Sequence, residues 1–210
     1  MAIFATDTKP KLPLTTRLES ERLVLLPPRA TDIPALYRAL RRNAEHLRPF
    51  SPAPPPADRR PTLALATREI ERWRGLWRQA ESYALYCFYR GEERGDEARI
   101  VGRVTLGRVT RGAFLNTYLG YFIDESEQGK GLMTEAVRCA LDLAFGPLGM
   151  HRVQAAIMPR NVGSLRVAEK CGFRHEGRAL RYLQIAGVWE DHDIFALTAE
   201  EWPSARKNKP

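Results

Sequence analysis

Apolar positions recur along this chain with two periods, and the switches between them mark out its elements. Arg22–Leu26 reads RLVLL and is closed by Pro27 and Pro28, which predicts a short strand. Thr31 is the expected N-cap of a helix running to about Arg42, with Asp32 and Pro34 in its first turn. Pro49, Pro52 and Pro54 to Pro56 then impose an extended loop of the kind that shapes a site. Leu63, Ala66, Ile70, Trp73, Trp77 and Ala80 fall three or four apart, the stripe of a helix over residues 61–80, with both Trp expected in the core. Tyr83–Tyr89, Ile100–Val109 and Phe114–Ile123 read as three strands of a meander, with glycines at the turns. The period then changes. Leu132, Met133, Ala136, Val137, Ala140, Leu141 and Ala144 make a helical stripe stopped by Gly146 and Pro147. A strand at Arg152–Met158 follows, then a helix at Val162–Cys171 with Asn161 near its cap and Gly172 at its exit. Arg178–Ile185 and Trp189–Leu197 close the chain as a hairpin through Ala186 and Gly187. The order is that of one α/β domain, of the α+β type: helices, a meander, a βαβ unit and a hairpin.

Composition narrows the class without deciding it. The chain has 210 residues, 44% hydrophobic and 28% charged, enough for a core without staples. Its formal net charge is +8, which admits acidic substrates, ribosomes or nucleic acid as partners. The basic excess is spread, and only residues 121–150 are net acidic, so the tight stripe of a sequence-specific DNA reader is absent. Three cysteines stand far apart with no CxxC, as in a reducing compartment. The start lacks a signal-peptide h-region, and no apolar run reaches the ~18 residues of a membrane span. The expected location is cytoplasmic. No His/Cys/Asp/Glu set has metal-ligand spacing, so no metal is expected.

The chemistry concentrates in two places. Gln128-Gly129-Lys130-Gly131 follows a strand and opens a helix. Such glycines let the backbone approach an anion, and the helix start offers free N–H groups and a positive dipole end. Lys130 either adds a charge contact or is solvated. Neither the Walker A nor the Rossmann glycine pattern fits, since Thr134 stands where a third glycine would be. The second place is Asn161-x-x-Ser164 followed by Cys171-Gly172-Phe173, which as isolated pieces are a cap, an exit and a core anchor.

Strand, QGKG, helix, strand, NxxS helix and GF in this order resemble the GNAT family of acetyl-CoA-dependent N-acetyltransferases. Tyr118-Leu-Gly-Tyr121, Gln128 to Met133, Glu135-Ala136, His151-Arg152, Met158-Pro159, Gly172-Phe173, Glu176-Gly177, Tyr182-Leu183, Trp189 and Asp191-His192 are similar to the RimJ/RimL group, which acetylates protein N-termini, nearest to its RimJ branch. The likeness covers about residues 15–203, implying one GNAT domain there, a flexible arm at 1–14 and a tail at 204–210. It implies a mixed, mostly antiparallel central sheet with helices on both faces, splayed between the strand ending at Ile123 and that at Arg152–Met158. Acetyl-CoA, as co-substrate, would lie in the splay against Tyr121, Phe122, Ile123, Gln128, Gly129, Lys130, Gly131, Leu132, Met133, Thr134, Asn161 and Ser164. An N–H near Tyr121 or Phe122 would meet the thioester carbonyl.

The same resemblance assigns Ser164 and Asn161 to catalysis, Ser164 as donor to the leaving thiolate. The residue matching the usual Tyr acid is Ala168, Leu183 stands where a base Glu would align, and Ser126 replaces a common Gln or Arg. The base therefore has no assignment; Glu45 on the Pro-rich loop is the candidate, ahead of Asp124 and Glu135. Tyr118, Tyr121, Tyr182, His151 and His192 read as structural. The implied reaction is direct acetyl transfer to a primary amine, first the α-amine of a protein such as a ribosomal protein. The alternatives are a small amine (antibiotic, polyamine or aminoacyl conjugate) and a ribosome- or RNA-associated factor that binds acetyl-CoA. The oligomer would be a monomer or dimer.

Overall fold

A computed structural model describes residues 10–52, 60–93, 95 and 97–203. The expected tail at 204–210, residues 1–9 of the expected arm and much of the Pro-rich loop lie outside the described residues. Residues 10–14 are not loose: Trp77 Nε1 donates to the Leu12 carbonyl at 2.8 Å, and the Tyr83 hydroxyl donates to that of Pro10 at 3.2 Å.

The elements are β1 (Leu18–Glu19), β2 (Leu23–Leu26), α1 (Ile33–Arg42), α2 (Ala44–Leu47), α3 (Leu63–Arg78), β3 (Tyr83–Tyr89), β4 (Gly102–Thr110), β5 (Asn116–Ile123), α4 (Leu132–Phe145), β6 (Arg152–Ile157), α5 (Val162–Lys170), β7 (Arg174–Ile185) and β8 (Val188–Thr198). The eight strands form one sheet in the order β1-β2-β3-β4-β5-β6-β8-β7. Each pairing is antiparallel except β5 with β6. That single parallel pair needs a crossover, which α4 supplies.

Strand alternation sorts the core onto two faces. Leu23 and Leu25 of β2 join Tyr83, Leu85 and Cys87 of β3 beneath α4, where Leu132, Ala136, Val137, Ala140 and Leu141 are buried. Val24, Leu26, Tyr86 and Phe88 face the other way, onto Leu36 and Ala39 of α1 and Ala66 and Ile70 of α3. Each such buried Leu, Ile or Phe contributes roughly 1.5–3 kcal/mol.

Several local expectations shift. The first helix is capped one residue later, by Asp32, whose carboxylate accepts from the Arg29 backbone N–H at 2.8 Å and from its guanidinium. Part of the Pro-rich segment is helical, as α2 and a 3₁₀ turn at Arg48–Phe50. Proline is tolerated in a first turn, where its missing N–H is not needed. Trp77 is 1% exposed, but Trp73 is half-buried under the Arg72 and Arg103 guanidinia. Leu63, at the first position of α3, is exposed.

Candidate active site

The parallel pair is where the sheet opens. β5 and β6 are in register only at Asn116↔Arg152, Thr117↔Val153 and Tyr118↔Gln154. Beyond that, β5 stays with β4 as far as Ile123, and β6 stays with β8 as far as Ile157. The two strands part between intact neighbours, so their facing edges carry backbone groups with no partner across the gap. Such groups seek a ligand or water. A cavity of about 820 Å³ fills this gap, within the range of small-molecule sites. Its walls take in Leu119 to Ile123, Ala155 to Met158, Gln128, Gly129, Gly131 to Thr134, Ser164 of α5 and Asn161 just before that helix.

One end of the cavity is the start of α4. Gly131 is its N-cap at φ +79°, a left-handed conformation that glycine adopts without strain. No side chain caps this end, and the first intrahelical bond is Glu135 N–H to Gly131 O at 3.2 Å. The N–H groups of Leu132, Met133 and Thr134 are thus left for an anion. Lys130 points elsewhere. It does not line the cavity, and its ammonium donates to Glu127 at 2.7 Å. Glu127 also accepts from the Tyr89 hydroxyl at 2.6 Å and pairs with Arg99 at 3.1 Å. Burial raises the pKa of Glu127, but the bonds from Lys130 and Tyr89 and the Arg99 charge outweigh it and hold the carboxyl below its ordinary value.

The loop leading into the helix is fixed from behind by Asp124, 1% exposed. Its carboxylate accepts from Arg42 at 2.5 Å, from Asn43 Nδ2 at 3.2 Å and from the Ser126 hydroxyl at 2.7 Å. Burial pushes this group up, yet the three bonds prevail and hold it at about 2. Asn43 Oδ1 in turn accepts from the Glu125 N–H at 2.9 Å. Ser126, where the resemblance leads one to expect Gln or Arg, is met by the Arg99 guanidinium at 2.7 Å. Glu135 is bound to Ser20 at 2.8 Å and to Arg22 Nε at 2.6 Å.

α5 forms the facing wall. Asn161 Oδ1 accepts from the Ser164 N–H at 3.1 Å, so the Asn is a helix cap that also lines the cavity. At the other end Phe173 N–H reaches Ala168 O at 3.0 Å and Gly172 N–H reaches Glu169 O at 2.9 Å, a Schellman exit with Gly172 at φ +81°. The Tyr121 hydroxyl donates to the Ser164 carbonyl at 3.0 Å. Burial pushes its phenol pKa up. Ser164 and Tyr121, from different elements, therefore meet across the splay.

The far end of the cavity is assembled from long-range tethers that sequence reasoning missed. Arg160 donates to the Pro49 carbonyl at 3.0 Å and to Glu190 at 2.9 Å, and lies over the Phe50 ring. Ala186 N–H, at the β7–β8 turn, donates to Ser51 O at 3.1 Å. His46 accepts from Gln128 Nε2 at 2.9 Å. Phe50, Leu183, Ile185 and His192 line this end. Glu45 does not line the cavity: its side chain is 85% exposed and pairs with Arg48 at 3.5 Å. The one signal for this end was the run of prolines beside His46 and Phe50. Among the described residues no group of three His, Cys, Asp or Glu is placed to hold a metal ion, and no helix is long and apolar enough to cross a membrane.

Residues 22–174 match the family model described as the acetyltransferase (GNAT) domain. A probable N-acetyltransferase of Bacillus subtilis, YjcK, is 50% identical over 99 residues, 47% of this chain and 55% of that protein. The [ribosomal protein uS5]-alanine N-acetyltransferase of Escherichia coli is 41% identical over 120 residues, 57% of this chain and 62% of that protein. These matches thus span less than two thirds of either curated relative. Among solved structures, Mycobacterium smegmatis RimJ in complex with CoA-disulfide superposes with a TM-score of 0.81 at 30% identity, covering 91% of each chain. The ribosomal-protein-S5-alanine acetyltransferase of Vibrio fischeri gives 0.78 at 29% identity, over 93% of this chain and 100% of that one.

Proposed function

The chain belongs to the acetyltransferase (GNAT) domain family, and we propose that it transfers the acetyl group of acetyl-CoA to the α-amine of a protein N-terminus. The observation that carries this is the β5/β6 opening, which runs from an uncapped helix start to the Ser164–Tyr121 contact. Acetyl-CoA supplies the activated acetyl thioester. The Leu132, Met133 and Thr134 N–H groups hold its pyrophosphate through the backbone, with Lys130 spent on Glu127. The opened β5 edge near Tyr121 and Phe122 offers an N–H to the thioester carbonyl, whose oxygen gains charge in the transition state. Ser164 donates its hydroxyl hydrogen to the departing sulfur. Asn161 holds Ser164 by capping α5 and is a positioning residue.

Two observations favour a peptide α-amine over a polycation. Among the described residues that line the cavity the one carboxylate is Glu127, and it already serves Lys130, Tyr89 and Arg99. The acceptor end is walled instead by Phe50, Met158, Leu183 and Ile185. An α-amine, with an ordinary pKa of about 7.7–8.0 against ~10.4 for lysine, is also already partly neutral at physiological pH. The relatives named for ribosomal protein S5 alanine acetylation point to the same acceptor class. The test is comparative mass spectrometry of host proteins with and without the gene. Loss of one acetyl group from a protein N-terminus is the expected result; an unchanged set of N-termini overturns the reading.

A further inference from the structure

The reaction removes a proton from the acceptor nitrogen, and the carboxylates expected to take it do not face the cavity. Glu45 is on the outer surface, while Asp124 and Glu135 are engaged in bonds behind the glycine loop and on the side of α4. On β8, Glu190 is tied to Arg160 at 2.9 Å, Asp193 to Arg178 at 2.7 Å, and Asp191 accepts the Arg181 backbone N–H at 2.8 Å. His192 stands among them, 3% exposed, and lines the cavity. Its Nδ1 lies 3.0 Å from the Glu190 carbonyl oxygen. A carbonyl only accepts, so Nδ1 carries a hydrogen, and in the neutral ring the lone pair is then on Nε2. Among the described residues nothing hydrogen-bonds that Nε2. The Tyr182 ring packs against the imidazole at 5.7 Å between centroids.

Register places His192 at the acceptor end of the cavity. Asp193 pairs with Ile157, so His192 lies one residue further, level with Met158 at the open end of the splay. That is also the end lined by Phe50, Leu183 and Ile185.

Resting on the acceptor proposed above, we propose that His192 is the proton acceptor for the incoming amine: a buried, tautomer-locked imidazole that takes one N–H proton on Nε2. The ammonium R–NH₃⁺ gives that proton to His192 and becomes R–NH₂. The nitrogen lone pair forms the C–N bond to the acetyl carbon, and the C–S bond breaks with its electron pair on sulfur. A second N–H proton reaches sulfur through the Ser164 hydroxyl, which gives one proton and takes one. The products are the acetamide and CoA thiol, and His192 returns its proton to solvent.

The test uses the full chain and an N-terminally free, lysine-free peptide. His192→Gln keeps an amide N–H for the Glu190 carbonyl but accepts no proton. His192→Ala leaves room for added imidazole. The proposal expects kcat to fall about 100-fold or more in both, with acetyl-CoA binding unchanged, and imidazole to restore turnover to His192→Ala alone. Wild-type kcat in His192→Gln, or a loss in His192→Ala that imidazole does not restore, overturns it. The acceptor reading fails separately, in the wild type, if no α-amine peptide is acetylated while a small amine is.

Discussion

Asp124 links the end of α1 to the loop that enters the glycine turn, and acid should undo that link. The perturbation is Asp124→Asn, which keeps the shape and removes the charge. The carboxyl is 1% exposed and held at about 2 against an ordinary 3.8, where burial opposes and the Arg42, Ser126 and Asn43 bonds prevail. A depressed folded pKa means the unfolded chain binds the proton first as pH falls. The stabilisation is therefore full above the unfolded value near 3.8 and is lost on descending towards about 2. The difference corresponds to about 2 kcal/mol. Glu176, held at about 2 chiefly by its bond from Arg152, titrates in the same window, so the informative quantity is the difference between the two proteins. Urea unfolding at neutral pH should show the Asn variant about 2 kcal/mol less stable with the same m-value. That gap should close as the pH is lowered through 4 towards 2. A gap constant with pH would refute the reasoning, as would equal stability at neutral pH.

Gly131→Ala forces a side chain to φ +79° with its Cβ 3.5 Å from Arg22 Nη2, costing about 1–2 kcal/mol; calorimetry should show acetyl-CoA binding about tenfold weaker, while Lys130→Ala, which removes a side chain that does not line the cavity and leaves buried Glu127 still held by Tyr89 and Arg99, should leave it nearly unchanged. Asn161→Ala removes the bond to the Ser164 N–H and should lower unfolding stability by about 1 kcal/mol, with a larger loss in kcat than in acetyl-CoA affinity. Ser164→Ala should slow CoA release in a free-thiol assay, whereas Tyr121→Phe, which loses only a bond to a carbonyl, should slow it less; the reverse order would move the proton donor from Ser164 to Tyr121.

Local patterns in the sequence reached a good part of this architecture. Tyr83–Tyr89 is a strand with the expected bounds, because its apolar run is buried on both faces between flanking turn signals. The α4 stripe and the Asn161 cap are likewise local features, and both are where the spacing put them. β7 was harder: it begins at Arg174, earlier than expected, since an exposed edge strand needs no apolar alternation. The splay was reached through the family resemblance, because nothing at positions 119–123 or 155–157 says that two strands part. The destination of Lys130 depended on a buried Glu three residues back that also serves Tyr89 and Arg99. The acceptor end depended on Arg160, which joins segments 111 and 30 residues away. Contacts at such separations leave no periodic trace.

The most direct test of the central claim pairs two peptides with acetyl-CoA and the purified chain. One has a free N-terminus and no lysine; the other has a blocked N-terminus and one lysine. Intact mass and thiol release would be followed together. One acetyl group is expected on the first peptide, with matching thiol release, and none on the second. Acetylation of the lysine peptide alone, or thiol release without a modified peptide, would contradict it.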